Sequence, residues 1–180
     1  MDLLPLVDAA SLAVTTEKHF DVAIDILNSG VHMLIEKPVA ATMSEARRLK
    51  KIIGKSGVAS LVGHHRRYHA SVRQLKSLIA EGAVGMPVTA TIIWAMRKPD
   101  SYFEGNWRTA GGSPVMINIV HDIDLLRFVM GEITQATALR GAGRRGTRRI
   151  ESGAIALAFG NGATGTISFA DTAPSPWGFE

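Results

Sequence analysis

Apolar residues recur at helical spacing in Phe20, Ala23, Ile24 and Leu27, which predicts a helix capped by Thr15 or Thr16 and closed by Gly30. On either side lie short apolar runs, Ser11–Thr15 before it and the segment ending in Leu34-Ile35 after it, that read as buried strands. Thr42-Met43-Ser44-Glu45 carries the capping-box pattern and opens a second helix through Ala46, Leu49 and Ile53 to about Ser56, before Gly57. Val58–Val62 then gives a third strand. Strands alternating with helices predict βαβ units and a parallel sheet.

Beyond Gly63 the pattern changes. The polar cluster His64–His69 leads into a helix carrying Val72, Leu75, Leu78 and Ile79, and Val88–Trp94 alternates as a strand with one face better buried than the other. Lys98–Gly112 lacks periodicity, as expected of a functional loop. From Pro114 to Met130 the apolar positions step by three or four and predict a helix. Ile133–Leu139, Ile150–Phe159 and Ala163–Ala170 read as strands, with Asn161-Gly162 a hairpin signal. The fold class is α/β: a partial Rossmann parallel sheet over residues 1–62, then an α+β domain over 63–180 with an open, mostly antiparallel sheet.

Composition adds bounds. At 180 residues, 46% hydrophobic and 20% charged, the chain suits an ordinary globule. It has no cysteine, which excludes disulfides and thiolate metal sites. No apolar run reaches transmembrane length and the first residues lack a basic leader, so a cytoplasmic location is expected. The net charge of +4 is concentrated in Arg66-Arg67 and in Arg144-Arg145 with Arg148-Arg149, runs that usually sit on a solvated surface.

Three places carry candidate chemistry. Glu36-Lys37-Pro38 follows the second strand, where a parallel sheet places its ligands, and Pro38 bars an α conformation at Lys37 and offers a cis bond. Helical spacing puts Ile117, His121 and Asp124 on one face, with Asp124 close enough to orient the imidazole as a general acid/base. His64, His65 and His69 do not make a zinc spacing and lack a carboxylate to complete a set, so no metal is expected.

Glu36-Lys37-Pro38, the His-Arg-Arg-Tyr segment, and Gly111-Gly112 leading to His121-Asp122-Ile123-Asp124-Leu125-Leu126 coincide in order and spacing. Together they closely resemble the Gfo/Idh/MocA oxidoreductases. The resemblance implies a Rossmann domain joined to an open-sheet α+β domain. It also implies hydride transfer between NAD or NADP and a sugar, cyclitol or carboxylated cyclic diol. It assigns Lys37 to the reacting oxygen and His121 to acid/base work, with Glu36 and Pro38 holding the lysine near the nicotinamide. Thr15, Thr16 and His19 would stand beside the cofactor, and Arg67, Tyr68, Trp107, Arg108 and Asn118 would face substrate. Pairing of copies through the open sheet is expected.

Two departures qualify that likeness. Many members carry an Asp four residues before the His, where this chain has Ile117 beside Asn118; that weakens a sugar or inositol substrate, while Arg66, Arg67 and Arg108 suit a carboxylated one. No GxGxxG follows an opening strand, and no acidic residue is placed for the adenine ribose. The chain therefore reads as the central portion of a longer enzyme, with weak cofactor binding of its own. The alternative is a catalytically silent binding or assembly protein of the same fold. Nucleic-acid binding ranks last, because the arginine clusters lack interleaved aromatics or a recognised module.

Overall fold

The computed structural model describes residues 3–104, 113–146 and 148–175. The chain forms two compact units, Met1–His65 and Arg66–Glu180.

In the first unit, strands β1 (Ala9–Leu12), β2 (His32–Ile35) and β3 (Ser60–Val62) alternate with helices α1 (Thr16–Asn28) and α2 (Met43–Ser56). The strands are parallel in the order β1-β2-β3. The capping box is formed: Thr42 Oγ1 accepts the Glu45 N–H, and the Glu45 carboxylate takes the Thr42 N–H at 3.0 Å. Gly57 ends α2 at φ +72°, a conformation that costs glycine little. Leu12, Ala23, Ile26, Leu27, Met33, Ile35 and Leu49 make the core. The strands are not buried on both sides, as a continuous apolar run suggests. Met33 and Ile35 face the core, while Leu34 and Leu61, paired in register, lie on the other face at 43% and 61% exposure. Side chains alternate along a strand, so Leu34 points away from the core that Met33 and Ile35 join.

A 3-10 turn, His65–Tyr68, begins on the last residue of the first unit and leads into the second, which continues as α3 (Ala70–Ala80), β4 (Thr89–Ala95), a 3-10 turn Asp100–Tyr102, a π-helical turn Val115–Ile119, α4 (Val120–Met130), β5 (Ile133–Arg140), β6 (Ser152–Phe159) and β7 (Thr164–Ala170). The sheet order is β4-β7-β6-β5, antiparallel except for the parallel pair β4–β7. Ile119, Leu126, Met130, Leu157, Phe159, Ile167 and Phe169 form its core. The opposite face is open, and its polar and small side chains run across four strands as Thr91, Thr166, Ala156 and Thr137. Thr91 and Thr166 hydroxyls meet there at 3.2 Å.

The helix expected over Pro114–Met130 is present, but it starts as a π turn: the Val120 N–H reaches back five residues to the Val115 carbonyl. That extra residue lets the adjacent Asn118 and Ile119 both be buried, at 7% and 0% exposure. Among the described residues no helix is long and apolar enough to cross a membrane, and no group of three or more His, Asp and Glu is arranged to hold a metal ion.

Candidate functional site

In the first unit Lys37 leaves the carboxyl end of β2, the middle strand, and is half-buried. Main-chain bonds fix this strand end on both sides: Glu36 N–H to Leu12 O at 2.9 Å and Gly63 N–H to Ile35 O at 2.8 Å. The Glu36 carboxylate folds back on its own chain and accepts the Lys37 N–H at 3.1 Å. It lies against Gly63, where a Cβ would stand 3.1 Å from Oε1, a tight contact that the carboxylate would have to relieve by shifting a few tenths of an ångström. The Lys37–Pro38 peptide bond is cis. His19, 1% exposed on α1, sits with Nδ1 2.9 Å from the Pro38 carbonyl and Nε2 3.1 Å from the Val14 carbonyl. Both neighbours are acceptors, so a ring carrying two protons serves both and a neutral ring serves one. Either way His19 ties the turn after β1 to the turn after β2. Thr15 is the N-cap of α1 without a side-chain capping bond, and Thr16 begins the helix.

In the second unit the candidate residues converge on the π turn and the first turns of α4. His121, Asp122 and Asp124 are buried, at 5%, 8% and 5% exposure. The consecutive arginines of the 3-10 turn grip the two aspartates. Arg66 donates to Asp122 Oδ1 at 2.9 Å, and Arg67 takes both oxygens of Asp124 at 2.6 and 2.5 Å with its guanidinium 5.1 Å from the Phe128 ring. The hydrogen bond to Asp124 raises the Arg67 pKa further. Burial pushes the Asp122 carboxyl above its ordinary range against the pull of Arg66, and among the described residues its Oδ2 accepts no hydrogen bond. Arg66 and Arg67, which the sequence offers for a substrate carboxylate, each carry an aspartate partner within the unit. Tyr68 is exposed at 71%. Asn118 Oδ1 receives the Lys98 ammonium at 3.2 Å. Trp107 and Arg108 lie outside the described residues.

The second arginine run also departs from expectation. Arg144 and Arg148 are exposed, but Arg149 is 7% exposed and Arg145 joins it in an ionic cluster at the ends of β4, β6 and β7. Arg145 donates to Asp171 Oδ1 at 2.8 Å, to Asp100 Oδ1 at 2.9 Å and to the Lys98 carbonyl at 2.8 Å. Arg149 donates to Asp171 Oδ2. The Glu151 carboxylate accepts the main-chain N–H groups of Arg144 and Arg145, and the Phe103 ring lies 4.6 and 4.1 Å from the two guanidiniums. Glu151 stands only two positions after Arg149, whereas Asp171, which pairs with both guanidiniums, lies 26 and 22 residues beyond Arg145 and Arg149.

Comparison with known proteins agrees with this architecture. Residues 1–64 match the oxidoreductase family with the NAD-binding Rossmann fold, and residues 72–180 match the GFO/IDH/MocA C-terminal domain. The chain belongs to the Gfo/Idh/MocA oxidoreductase family. It is 33% identical over 156 residues to the 1,5-anhydro-D-fructose reductase of Ensifer adhaerens, a match covering 84% of this chain and 46% of the relative. It is 27% identical to the 4-carboxy-2-hydroxymuconate-6-semialdehyde dehydrogenase of Sphingobium sp., over 75% of this chain and 43% of the relative. The chain thus spans about half the length of these relatives. Among solved structures, the WlbA dehydrogenase from Bordetella pertussis, in complex with NADH and UDP-GlcNAcA, superposes with a TM-score of 0.86 at 26% identity, covering 97% of this chain and 56% of that one.

Proposed function

We propose that the chain supplies the catalytic centre of an NAD(P)-dependent oxidoreductase acting on a hydroxyl or carbonyl of a polyol, sugar or cyclic diol. The observation that carries this reading is Lys37: a half-buried lysine at the carboxyl end of the middle strand of a parallel sheet, its flanks fixed by Glu36, Gly63 and His19. The donor set fits the nicotinamide end of a dinucleotide, with the Lys37 ammonium and the Thr15 and Thr16 hydroxyls, of which that of Thr15 is not spent on capping α1. When bound, the cofactor supplies the hydride chemistry.

The chain's own groups handle the oxygen and the proton. Lys37 hydrogen-bonds the reacting oxygen and stabilises negative charge that develops on it. His121 takes the hydroxyl proton in oxidation and returns it in reduction. Asp124 acts through position: clamped by Arg67, it anchors the first turn of α4 and with it His121. Thr15, Thr16, His19, Glu36 and Pro38 shape the cofactor side, and Tyr68, Asn118, Trp107 and Arg108 the substrate side. The open Thr- and Ala-lined sheet face suits pairing of two copies, and a cytoplasmic, homo-oligomeric enzyme is the setting that goes with this reading. The Ensifer and Sphingobium relatives, one a reductase of an anhydro sugar and the other a dehydrogenase of a carboxylated semialdehyde, support both halves of the substrate range.

Calorimetric titration of the chain with NADH and NADPH, repeated with Lys37→Ala, tests the reading. The sequence has no glycine-rich phosphate loop, so weak, roughly millimolar binding is expected, weakened further in the variant. Equal affinity in both proteins would remove Lys37 from the site, and no binding to the folded chain would overturn the reading for these residues. A silent binding protein would keep its ligand affinity when Lys37 and His121 are both replaced by Ala.

A further inference from the structure

We propose that the outer face of α1 and α2 is a self-association surface, on which the acidic stripe of α1 in one copy of the chain seats against the basic stripe of α2 in a second copy, and the reverse. This contact is separate from pairing through the open sheet of the second unit, and it does not rest on the oxidoreductase reading.

Helix α1 carries Glu17, Asp21 and Asp25, each four residues from the next, and all three are exposed. Helix α2 carries Arg47, Lys51 and Lys55 at the same spacing, with Arg48 beside them, and these are exposed too. A step of four residues turns a side chain by only about 40° around a helix, so each set makes one continuous stripe. The opposite sides are apolar: Ala23, Ile26 and Leu27 of α1 and Leu49 of α2 share one core with Met33 and Ile35. Both helices therefore cover the same face of the sheet and turn their charges to solvent.

Neither stripe is explained by the helix that bears it. Like charges four apart on a helix repel, and each stripe holds two such pairs in succession. The helix dipole favours acids at the amino end and bases at the carboxyl end, which accounts for Glu17 and Lys55. Asp25 and Arg47 stand in the opposite halves of their helices. Among the described residues none of these seven side chains forms an ion pair. At the seam between the helices the Arg48 guanidinium lies over the Phe20 ring, 4.6 Å from its centroid, and not on a carboxylate.

A second copy relieves both repulsions at once. Each helix joins neighbouring parallel strands, β1 to β2 and β2 to β3, so the two run in the same direction. Two copies laid face to face about a two-fold axis parallel to the helices bring each α1 opposite the other copy's α2. A two-fold axis across the helices would set acid on acid and base on base. Only the first arrangement is complementary, and it closes as a symmetric dimer. Helices of 13 and 14 residues are about 20 Å long, so the contact is small and driven by charge.

Sedimentation velocity over a concentration series, at about 20 mM and about 500 mM salt, tests the surface. Self-association is expected at low salt and should be at least roughly tenfold weaker at high salt. Reversing part of either stripe, by Lys51→Glu with Lys55→Glu or by Asp21→Lys with Asp25→Lys, should weaken it by a similar factor. A chain carrying all four reversals restores the complementarity and should regain the low-salt association, as should an equimolar mixture of the two single-stripe variants. A merely structural defect would not be rescued in either way. Lys51→Gln with Lys55→Gln is the milder variant, and circular dichroism verifies that each protein is folded. A wild type that stays monomeric at low salt overturns the proposal. A dimer that survives high salt and every reversal belongs to another face and overturns it equally. So does a folded four-reversal chain, or a mixture, that stays apart.

Discussion

Lys37 and Lys98 each follow the end of a strand, one in either unit, and the chain around them is fixed by different physics. Around Lys37 the anchors are main-chain bonds, a glycine that admits the Glu36 carboxylate, and the His19 ring between two carbonyls. Around Lys98 they are buried charges, with Arg145 and Arg149 against Asp171 and Glu151, the two carboxylates being 0% and 1% exposed. Carbonyl-to-imidazole contacts are short-ranged and barely respond to salt. A buried ionic cluster is strong only while complete, because removing one member leaves its partner charged, desolvated and unpaired. The two units therefore expose opposite weaknesses.

The largest effect should come from breaking the ionic anchor. Asp171→Ala leaves both guanidiniums without their shared carboxylate and is expected to cost the second unit about 3–5 kcal/mol. All three tryptophans, Trp94, Trp107 and Trp177, belong to that unit, so the denaturant midpoint followed by their fluorescence reads it selectively. Next in size, His19→Leu removes the tether between the Val14 and Pro38 turns and should cost about 1–3 kcal/mol. Amide exchange in β2 would register that loss at low and high salt alike, with the tryptophan midpoint unmoved. A larger loss from His19→Leu than from Asp171→Ala would reverse the contrast. The smallest effect concerns Asp122. Its carboxyl is raised above the ordinary 3.8 by burial, so the folded chain holds that proton more readily than the unfolded one. Its contribution to stability is therefore present at acid pH and is lost as pH rises through the folded value. Between pH 7 and pH 4 the wild-type midpoint should gain on that of Asp122→Asn; a gain in the opposite direction would mean that Arg66 outweighs burial.

Local pattern carried most of the fold. The capping box at Thr42, the left-handed stop at Gly57 and the period-two runs of β4 to β7 are properties of neighbouring residues, and they appear where the sequence places them. The place of Lys37 just beyond a strand end was legible for the same reason, since a strand followed by a charged residue and proline is a local signal. What stayed hidden depends on pairing at a distance. The parallel contact of β4 with β7 joins residues 75 positions apart in the Thr91–Thr166 bridge, and no pattern in either strand announces it. The fates of Arg67 and Arg145 are set by Asp124 and Asp171, at separations of 57 and 26 residues, so a run of arginines read by itself resembles a solvated surface. Lys98 escaped notice because it opens an aperiodic loop, and only the fold reveals that Asn118 lies within its reach.

The π turn over Val115–Ile119 has one consequence for how this helix compares with others. A π turn carries one residue more than the α-helical turn it replaces, absorbed by local widening, and here it leads straight into α4. A chain one residue shorter at this point can run the same helix in plain α form, with His121 and everything after it aimed as before. Counting back a fixed number of positions from His121 thus reaches a different place on the helix surface in the two windings. Ile117, four positions before His121, is in register with the fourth residue of a plain helix by number alone; the turn in between has been lengthened, and the equivalence has to be sought by shape.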